Sequence, residues 1–217
     1  MQTLTEKVMR LDPPGSLFDE AVLHNLFPES TSGAKKLLVH RSVQHGEVVR
    51  LKPGIYCLAP EYRKTHAHPF AVAATLHSPS HISLESALAW HGLIPEAVAQ
   101  VSSVTVSRSR IFDTPLGTFS FQRVPCTAPR AGVRAVKLDA SSWAFVAMPL
   151  RAIADLVYLR KEISWDRDGL GFLTVSMRME ADELRELPTE DYTPVHNAMR
   201  NLRTKRYLEG LKKEMSP

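Results

Sequence analysis

Apolar and polar positions over the first 45 residues recur at helical spacing and predict three helices. The first covers residues 2–10 and ends before Pro13, because proline lacks a backbone donor and clashes with the preceding turn. A second helix is expected from a cap at Ser16 to about Asn25. A third begins at residues 30–32, where serine or threonine can cap it, and runs to about His45. The last two helices and their short connection predict a helix-turn-helix.

Directly after the third helix the pattern predicts a β-hairpin. Gly46 can end the helix in a left-handed conformation, and strands at 47–51 and 55–58 flank a turn at Lys52-Pro53-Gly54. A helix followed by a basic hairpin is the second half of a winged helix-turn-helix. The helix enters a major groove, and the hairpin, or wing, lies along the nucleic-acid backbone. Residues 1–64 are therefore predicted to form a winged helix DNA-binding domain.

The remainder, residues 65–217, is predicted to form a second domain after a linker near residues 62–68. Helical spacing indicates short helices at 70–76 and 83–92, an apolar helix at 150–159 and a C-terminal helix at 195–215. Alternating runs predict strands at 101–107, 119–124, 133–138 and 142–146. The predicted fold class is α+β: an N-terminal winged helix-turn-helix followed by a mostly antiparallel α+β domain with a helical C-terminus.

Composition adds little to this fold, but charge is uneven along the chain. The formal net charge is +4, and residues 196–217 carry six basic and only two acidic side chains. No apolar run approaches the roughly 20 residues of a membrane helix, and the charged start has no apolar signal region, so a cytoplasmic location is expected. Cys57 and Cys126 lack zinc-site spacing and are interpreted as buried free thiols.

Basic and polar side chains gather at the beginning of the third helix and on the hairpin. An isolated lysine pair would more simply solubilise a surface helix, but its combination with a basic hairpin favours phosphate contacts with double-stranded DNA. The predicted DNA-binding residues are Ser32, Lys35, Lys36, His40, Arg50 and Lys52. The apolar residues of this helix fall on two sides, so the face that would enter the groove stays open.

A candidate second basic surface lies in the C-terminal helix. Its residues are Arg200, Arg203, Lys205 and Arg206, with Met199, Leu202, Leu208 and Leu211 as the apolar stripe. The surface could contact phosphates or an acidic partner, and a solvated surface helix is the alternative. Reversal of Arg203, Lys205 and Arg206 to glutamate is expected to leave the melting temperature nearly unchanged.

Catalytic and metal-binding patterns are weak. His66, His68, His77 and His81 form no HxxxH pair within one predicted helix and have no completing carboxylate, so neither a metal nor another cofactor is expected. There is no glycine-rich phosphate loop, GxSxG or HExxH motif. Ser83, Ser86, His91 and Asp155 could be written as a nucleophile, base and orienting acid, but capping and packing explain them more simply. The chain is therefore not expected to be an enzyme.

Four segments, in this order, resemble the AbiE-type antitoxin family of bacterial toxin–antitoxin systems. They are GEVVRLKPGIY, HISLESALAWHGLIPE, SVTVSRSRIFDTPLGTFSFQRV and AMPLRAIADLVYL. The resemblance implies a winged helix that represses its own promoter at inverted repeats. It also implies a C-terminal domain that opposes a cognate nucleotidyltransferase-like toxin. Where the family often has Pro-Glu-Lys-Ala, this chain has Pro149-Leu150-Arg151-Ala152, so a role of that glutamate is absent. The alternative is a protein-interaction module whose winged helix does not bind DNA.

Overall fold

The computed structural model describes residues 3–95 and 99–215 as a mixed α+β protein with helices at both ends of the chain. The helices are α1 (Leu4–Leu11), α2 (Glu20–Leu26), α3 (Ser32–Gln44), α4 (Pro69–Leu76), α5 (Leu84–Trp90), α6 (Pro149–Leu159), α7 (Trp165–Asp168), α8 (Ala181–Arg185), α9 (Tyr192–Ala198) and α10 (Leu202–Met215). The strands are β1 (Leu17–Asp19), β2 (Val48–Lys52), β3 (Ile55–Leu58), β4 (Ser80–Ile82), β5 (Val101–Thr105), β6 (Arg110–Thr114), β7 (Gly117–Arg123), β8 (Val133–Lys137) and β9 (Trp143–Ala147).

The chain divides into two compact units that do not follow each other simply along the sequence. The first contains the chain up to Ser78 together with Phe112–Thr118 and Lys137–Trp143. The second contains Pro79–Ile111, Phe119–Val136 and the chain from Ala144 onward. Independent folding of a domain that ends at residue 64 stays a prediction.

In the first unit, α1, α2 and α3 accompany a three-stranded antiparallel sheet of order β1-β3-β2. Gly54, at φ 82°, completes the turn between β2 and β3, as the Pro-Gly pair predicted. The helices and the sheet share one apolar core. It consists of Leu4, Val8, Phe18, Leu23, Phe27, Val39, Val48 and Leu58.

The beginning of the predicted second helix is wrong. Leu17–Asp19 is a strand that pairs with β3, and Phe18 is only 2% exposed within it. Asp19, not Ser16, caps α2, because its Oδ1 accepts a hydrogen bond from the Val22 amide at 2.9 Å. The other two helices agree with the sequence: Thr3 and Glu6 form a capping box on α1, and Thr31 caps α3.

A six-stranded sheet has the order β6-β7-β5-β4-β9-β8. The pair β4–β5 is antiparallel, but β5–β7 and β4–β9 are parallel. The sheet is therefore mixed, and these two parallel pairs are exceptions to the mostly antiparallel sheet expected from the sequence. Alternation along one strand shows which side chains are buried but not which strand lies beside it.

The C-terminal segment is two helices, so the prediction of one helix over 195–215 is wrong. The chain leaves α9 after Ala198, and Met199 forms an isolated antiparallel bridge with Cys126. Leu202 is 72% exposed and lies outside the apolar stripe predicted for it. The buried side of α10 consists of Thr204, Tyr207, Leu208, Gly210, Leu211 and Met215. Gly210 is required there, because a β-carbon would lie 2.1 Å from the Trp165 ring.

No helix in the two described ranges combines the length and the apolar character needed to cross a bilayer.

Candidate functional site

The structure orients α3, which the sequence left open. Val39 and Ser42 are buried against the unit. Two neighbouring rows along the helix are exposed, one row made of Ser32, Lys36, His40 and Gln44 and the other of Gly33, Leu37 and Arg41. The helix contains no aspartate or glutamate. Its solvent face is therefore polar and basic, with Leu37, 48% exposed, as its one large apolar side chain among residues 32–44.

The six residues predicted to bind DNA do not all lie on this face. Ser32, Lys36 and His40 share it, and Arg50 is exposed on β2. Lys35 is half-buried, and its Nζ lies 2.9 Å from Nδ1 of His24 on α2. Lys52 points into the protein: its Nζ donates to the Leu76 carbonyl at 2.5 Å and lies 5.2 Å from the Phe112 ring centre.

The candidate second basic surface also separates into two kinds of residue. Arg200 and Arg206 are exposed, and Lys205 is half-buried. Arg203 connects α10 to residues 158–163. Its guanidinium group donates hydrogen bonds to the carbonyl oxygens of Arg160 at 3.0 Å, Tyr158 at 3.2 Å and Ile163. Because these hydrogen bonds would be lost, the contacts of Arg203 argue against the expectation that a reversal including it leaves the melting temperature unchanged.

Two neighbouring arginines on α10 offer a direct test of this difference. We expect Arg203→Ala to lower the free energy of unfolding by about 2–4 kcal/mol, because it removes the charge-assisted hydrogen bonds that join α10 to three backbone carbonyl groups. Arg206→Ala should change it by less than about 0.5 kcal/mol, as is usual for an exposed side chain. Urea unfolding of both variants measures the difference in their free energies of unfolding. Equal values would show that the hydrogen bonds of Arg203 do not stabilise the protein.

The second unit contains a buried polar centre around Asp155. Asp155 and Arg151 lie one turn apart on α6, both side chains are 0% exposed, and Arg151 Nε donates to both carboxylate oxygens at 3.0 and 3.1 Å. Ser83 Oγ donates to Asp155 Oδ2 at 2.7 Å, and His81 Nε2 lies 3.4 Å from the same oxygen. Arg151 Nη1 also donates to the Ala131 carbonyl at 3.0 Å. Side chains from β4 and α6 and the residue before α5 therefore meet at one carboxylate.

Of the four residues considered as a possible catalytic triad, this centre brings together only Ser83 and Asp155. His91 Nε2 lies 2.9 Å from the Ala147 carbonyl, and Ser86 Oγ accepts from the Ser102 amide at 2.8 Å. Ser83 occupies the cap position of α5 but makes no side-chain capping bond, so the capping interpretation is wrong for it. Sequence reasoning missed Arg151 and His81. The available signal was an Arg–Asp pair four residues apart inside an apolar helix.

Electrostatics within the centre fix the protonation states. Burial favours a raised pKa for Asp155, but the Arg151 guanidinium and the hydrogen bonds from His81 and Ser83 outweigh it and hold the pKa below its ordinary value. Burial lowers the pKa of His81, and the attraction of Asp155 does not compensate, partly because Arg151 and Arg130 repel a second positive charge. At neutral pH the centre therefore contains a carboxylate, a guanidinium and a neutral imidazole.

The lowered pKa of His81 predicts acid sensitivity of the second unit. Below pH 6.5, the ordinary pKa of histidine, the unfolded chain binds a proton at His81. The folded chain binds this proton less readily, because its His81 pKa is lower. Stability is thus complete above pH 6.5 and falls below it, by at most about 1.4 kcal/mol per pH unit from this group. Urea unfolding between pH 7 and pH 5 should show a flatter profile for His81→Gln than for the parent. A profile unchanged by the substitution would contradict the assignment.

Within the described residues, no group of three or more histidine, cysteine, aspartate or glutamate side chains is arranged to bind a metal ion. Cys57 is buried and Cys126 half-buried, both as free thiols. No protein-family model matches the chain, and no curated protein shows significant sequence similarity to it.

Proposed function

We propose that this protein is a DNA-binding transcriptional autorepressor and antitoxin, similar to the AbiE-type antitoxins, that opposes a nucleotidyltransferase-like toxin. The observation that carries the proposal is the order of the first six elements, α1-β1-α2-α3-β2-β3, with the sheet order β1-β3-β2. A short strand, two helices joined by a turn and a returning hairpin are the parts of a winged helix. In this proposal α3 is the recognition helix and β2–β3 is the wing.

The surface of α3 supports DNA as the partner. Lys36, His40 and Arg41 lie on its exposed face without an acidic residue in the helix, so a polyanion meets no repulsion there. Arg50 on the wing adds a basic side chain that is free to reach a phosphate. Phosphate neutralisation by lysine and arginine provides most of the non-specific affinity of such proteins.

Contacts in the second unit support the antitoxin part. Two of the four segments that carry the resemblance contact each other: Ser83 of the HISLESALAWHGLIPE segment bonds Asp155 of the AMPLRAIADLVYL segment, and His91 Nε2 lies 2.9 Å from the Ala147 carbonyl oxygen. These contacts connect the two ends of α5 to the middle of α6 and to the last residue of β9. These two segments therefore belong to one structural unit, which supports the resemblance for this part of the chain. Direct contact with the toxin is part of the proposal.

The test uses DNA from immediately upstream of the protein's own gene. In a gel-shift titration the protein should retard this fragment in preference to a shuffled fragment of equal length and composition, at a fixed salt concentration. Co-expression with the product of the adjacent gene then measures neutralisation. Equal retardation of both fragments, together with no protection from the adjacent gene product, would reject the proposal.

One observation favours the alternative, a protein-interaction module. Leu37 occupies the centre of the exposed α3 face, and Lys52 of the wing is held by Leu76 and Phe112. If the face binds protein, Leu37→Ser should abolish partner binding while the parent protein shows no preference for the upstream DNA. Preference for that DNA would reject this alternative.

A further inference from the structure

A cavity of about 370 Å³ lies between α2, α3 and β3 in the first unit. This volume falls within the range of about 300–1,000 Å³ that is typical of small-molecule sites. Its lining residues are Glu20, Leu23, His24, Pro28, Ser30, Ser32, Lys35, Lys36, Val39 and Tyr56. Four segments of the chain contribute to it, so the cavity is formed by the tertiary fold and is not one helix end.

Charged groups line the cavity at two separate places. Lys35 and Lys36 of α3 line it together with Ser30 and Ser32. Glu20 is the first residue of α2, and Ser30 follows the end of that helix, so the length of α2 separates the acidic group from the turn hydroxyl. In the part of the chain that the structure describes, neither Lys36 nor Glu20 makes an ion pair within the protein. Both side chains are therefore available to a ligand.

The rest of the lining is mostly apolar and aromatic, with His24 as a further polar group whose Nδ1 lies 2.9 Å from Lys35 Nζ. Leu23 and Val39 are buried core residues whose surfaces border the cavity. Tyr56 is half-buried, and the Phe18 ring packs against it with centroids 5.5 Å apart and an interplanar angle of 31°. Phe18 thus supports the Tyr56 ring, which can present a flat surface to a ligand ring.

From this arrangement we infer that the cavity binds a nucleoside phosphate. The phosphate group is held by Lys35, Lys36 and the serine hydroxyls, since ammonium and hydroxyl groups both donate to phosphate oxygens. The base lies against Tyr56 and the apolar wall, and the Glu20 carboxylate accepts a hydrogen bond from an amino or ring N–H group of the base. Inorganic phosphate would use only the lysine end and leave the ring and Glu20 without a role.

Ligand binding regulates the contact with DNA in this scheme, a consequence that rests on the proposed function. Ser32 and Lys36 line the cavity and also lie on the exposed α3 face that is proposed to meet DNA. The Lys36 ammonium group cannot satisfy a bound nucleotide and a DNA phosphate together. A nucleoside phosphate at ten times its dissociation constant should therefore raise the apparent Kd for the upstream DNA by about tenfold.

Isothermal titration calorimetry of the full chain, without DNA, tests the site itself. The probes are the four ribonucleoside 5′-monophosphates, the corresponding nucleosides and inorganic phosphate. We expect at least one monophosphate to bind about tenfold or more tightly than its nucleoside and inorganic phosphate. Lys36→Gln should weaken that binding by about tenfold, and Glu20→Gln should change the preference among bases. Lys64→Gln, which removes an exposed lysine paired with Asp12 in the same unit, is the matched control and should have no effect.

Each other result contradicts one defined part of the scheme. Equal affinity for inorganic phosphate and monophosphates, or equal weakening by Lys36→Gln and Lys64→Gln, would mean diffuse attraction of anions. Absence of binding at millimolar ligand would remove the site altogether. If monophosphates bind but the upstream DNA does not, the proposed function fails while the site stands. If the DNA binds without competition from a bound monophosphate, the shared use of Lys36 is wrong.

Discussion

Replacement of Asp155 by asparagine is expected to lower the free energy of unfolding by about 3–5 kcal/mol. The substitution leaves the Arg151 guanidinium buried at 0% exposure without its counter-charge. Removal of one partner of a buried pair costs far more than the net value of the pair, because the remaining charge is desolvated and unpaired. In a chain of 217 residues this loss corresponds to a melting temperature roughly 6–20 °C lower.

The chain contains a matched control for this substitution. Asp182 pairs with Arg185 on α8 at 2.6 Å, but both side chains are exposed. Asp182→Asn makes the same chemical change at a solvated pair, where water replaces the lost interaction, and should leave the melting temperature unchanged within error. Differential scanning calorimetry of the two variants compares them directly. Similar melting temperatures would show that the Asp155 centre does not stabilise the second unit.

Substitution of Lys36, Arg41 and Arg50 by alanine is expected to weaken binding to the upstream DNA by at least about a hundredfold. All three side chains are exposed, two on the α3 face and one on β2. Each lost phosphate contact should lower the slope of log K against log salt by about one unit, so the slope should fall by about three. Fluorescence anisotropy at several salt concentrations measures both quantities.

The control for the DNA variant removes three basic residues that lie elsewhere. Lys64, Arg167 and Arg185 are exposed, belong to surface ion pairs and are not part of α3 or the hairpin. Their replacement by alanine lowers the net charge equally but should leave the salt slope within about one unit of the parent. If both triple variants lose affinity equally, net charge and not the α3 face determines binding.

Much of the first unit could be predicted because its signals are local. The turn at Pro53-Gly54, the cap at Thr31 and the first helix each depend on residues close in sequence. The three-residue strand β1 was missed because its stability comes from pairing with β3, about forty residues later. The same reason explains β4, which gains its position from β5 and β9.

The candidate site was predicted less well than the fold. Basic residues can be found in a sequence, but whether their charged groups are available depends on contacts made elsewhere. The Lys52 ammonium group contacts the Leu76 carbonyl and the Phe112 ring. The Arg203 guanidinium group donates hydrogen bonds to carbonyl groups of residues 158–163. The Asp155 centre likewise depends on tertiary contacts. A buried charge in an apolar helix is tolerated only where partners from other segments of the chain reach it.

The composition of the first unit has a consequence for synthesis on the ribosome. This unit begins the chain, yet it includes Phe112–Thr118 and Lys137–Trp143. Folding that proceeds from the N-terminus as the chain emerges can therefore form the hairpin and its helices early. The unit is complete only when residue 143 has left the ribosomal tunnel. The Phe112 ring reaches Lys52 only in this later stage, so a nascent chain that stalls before residue 112 presents Lys52 without this partner.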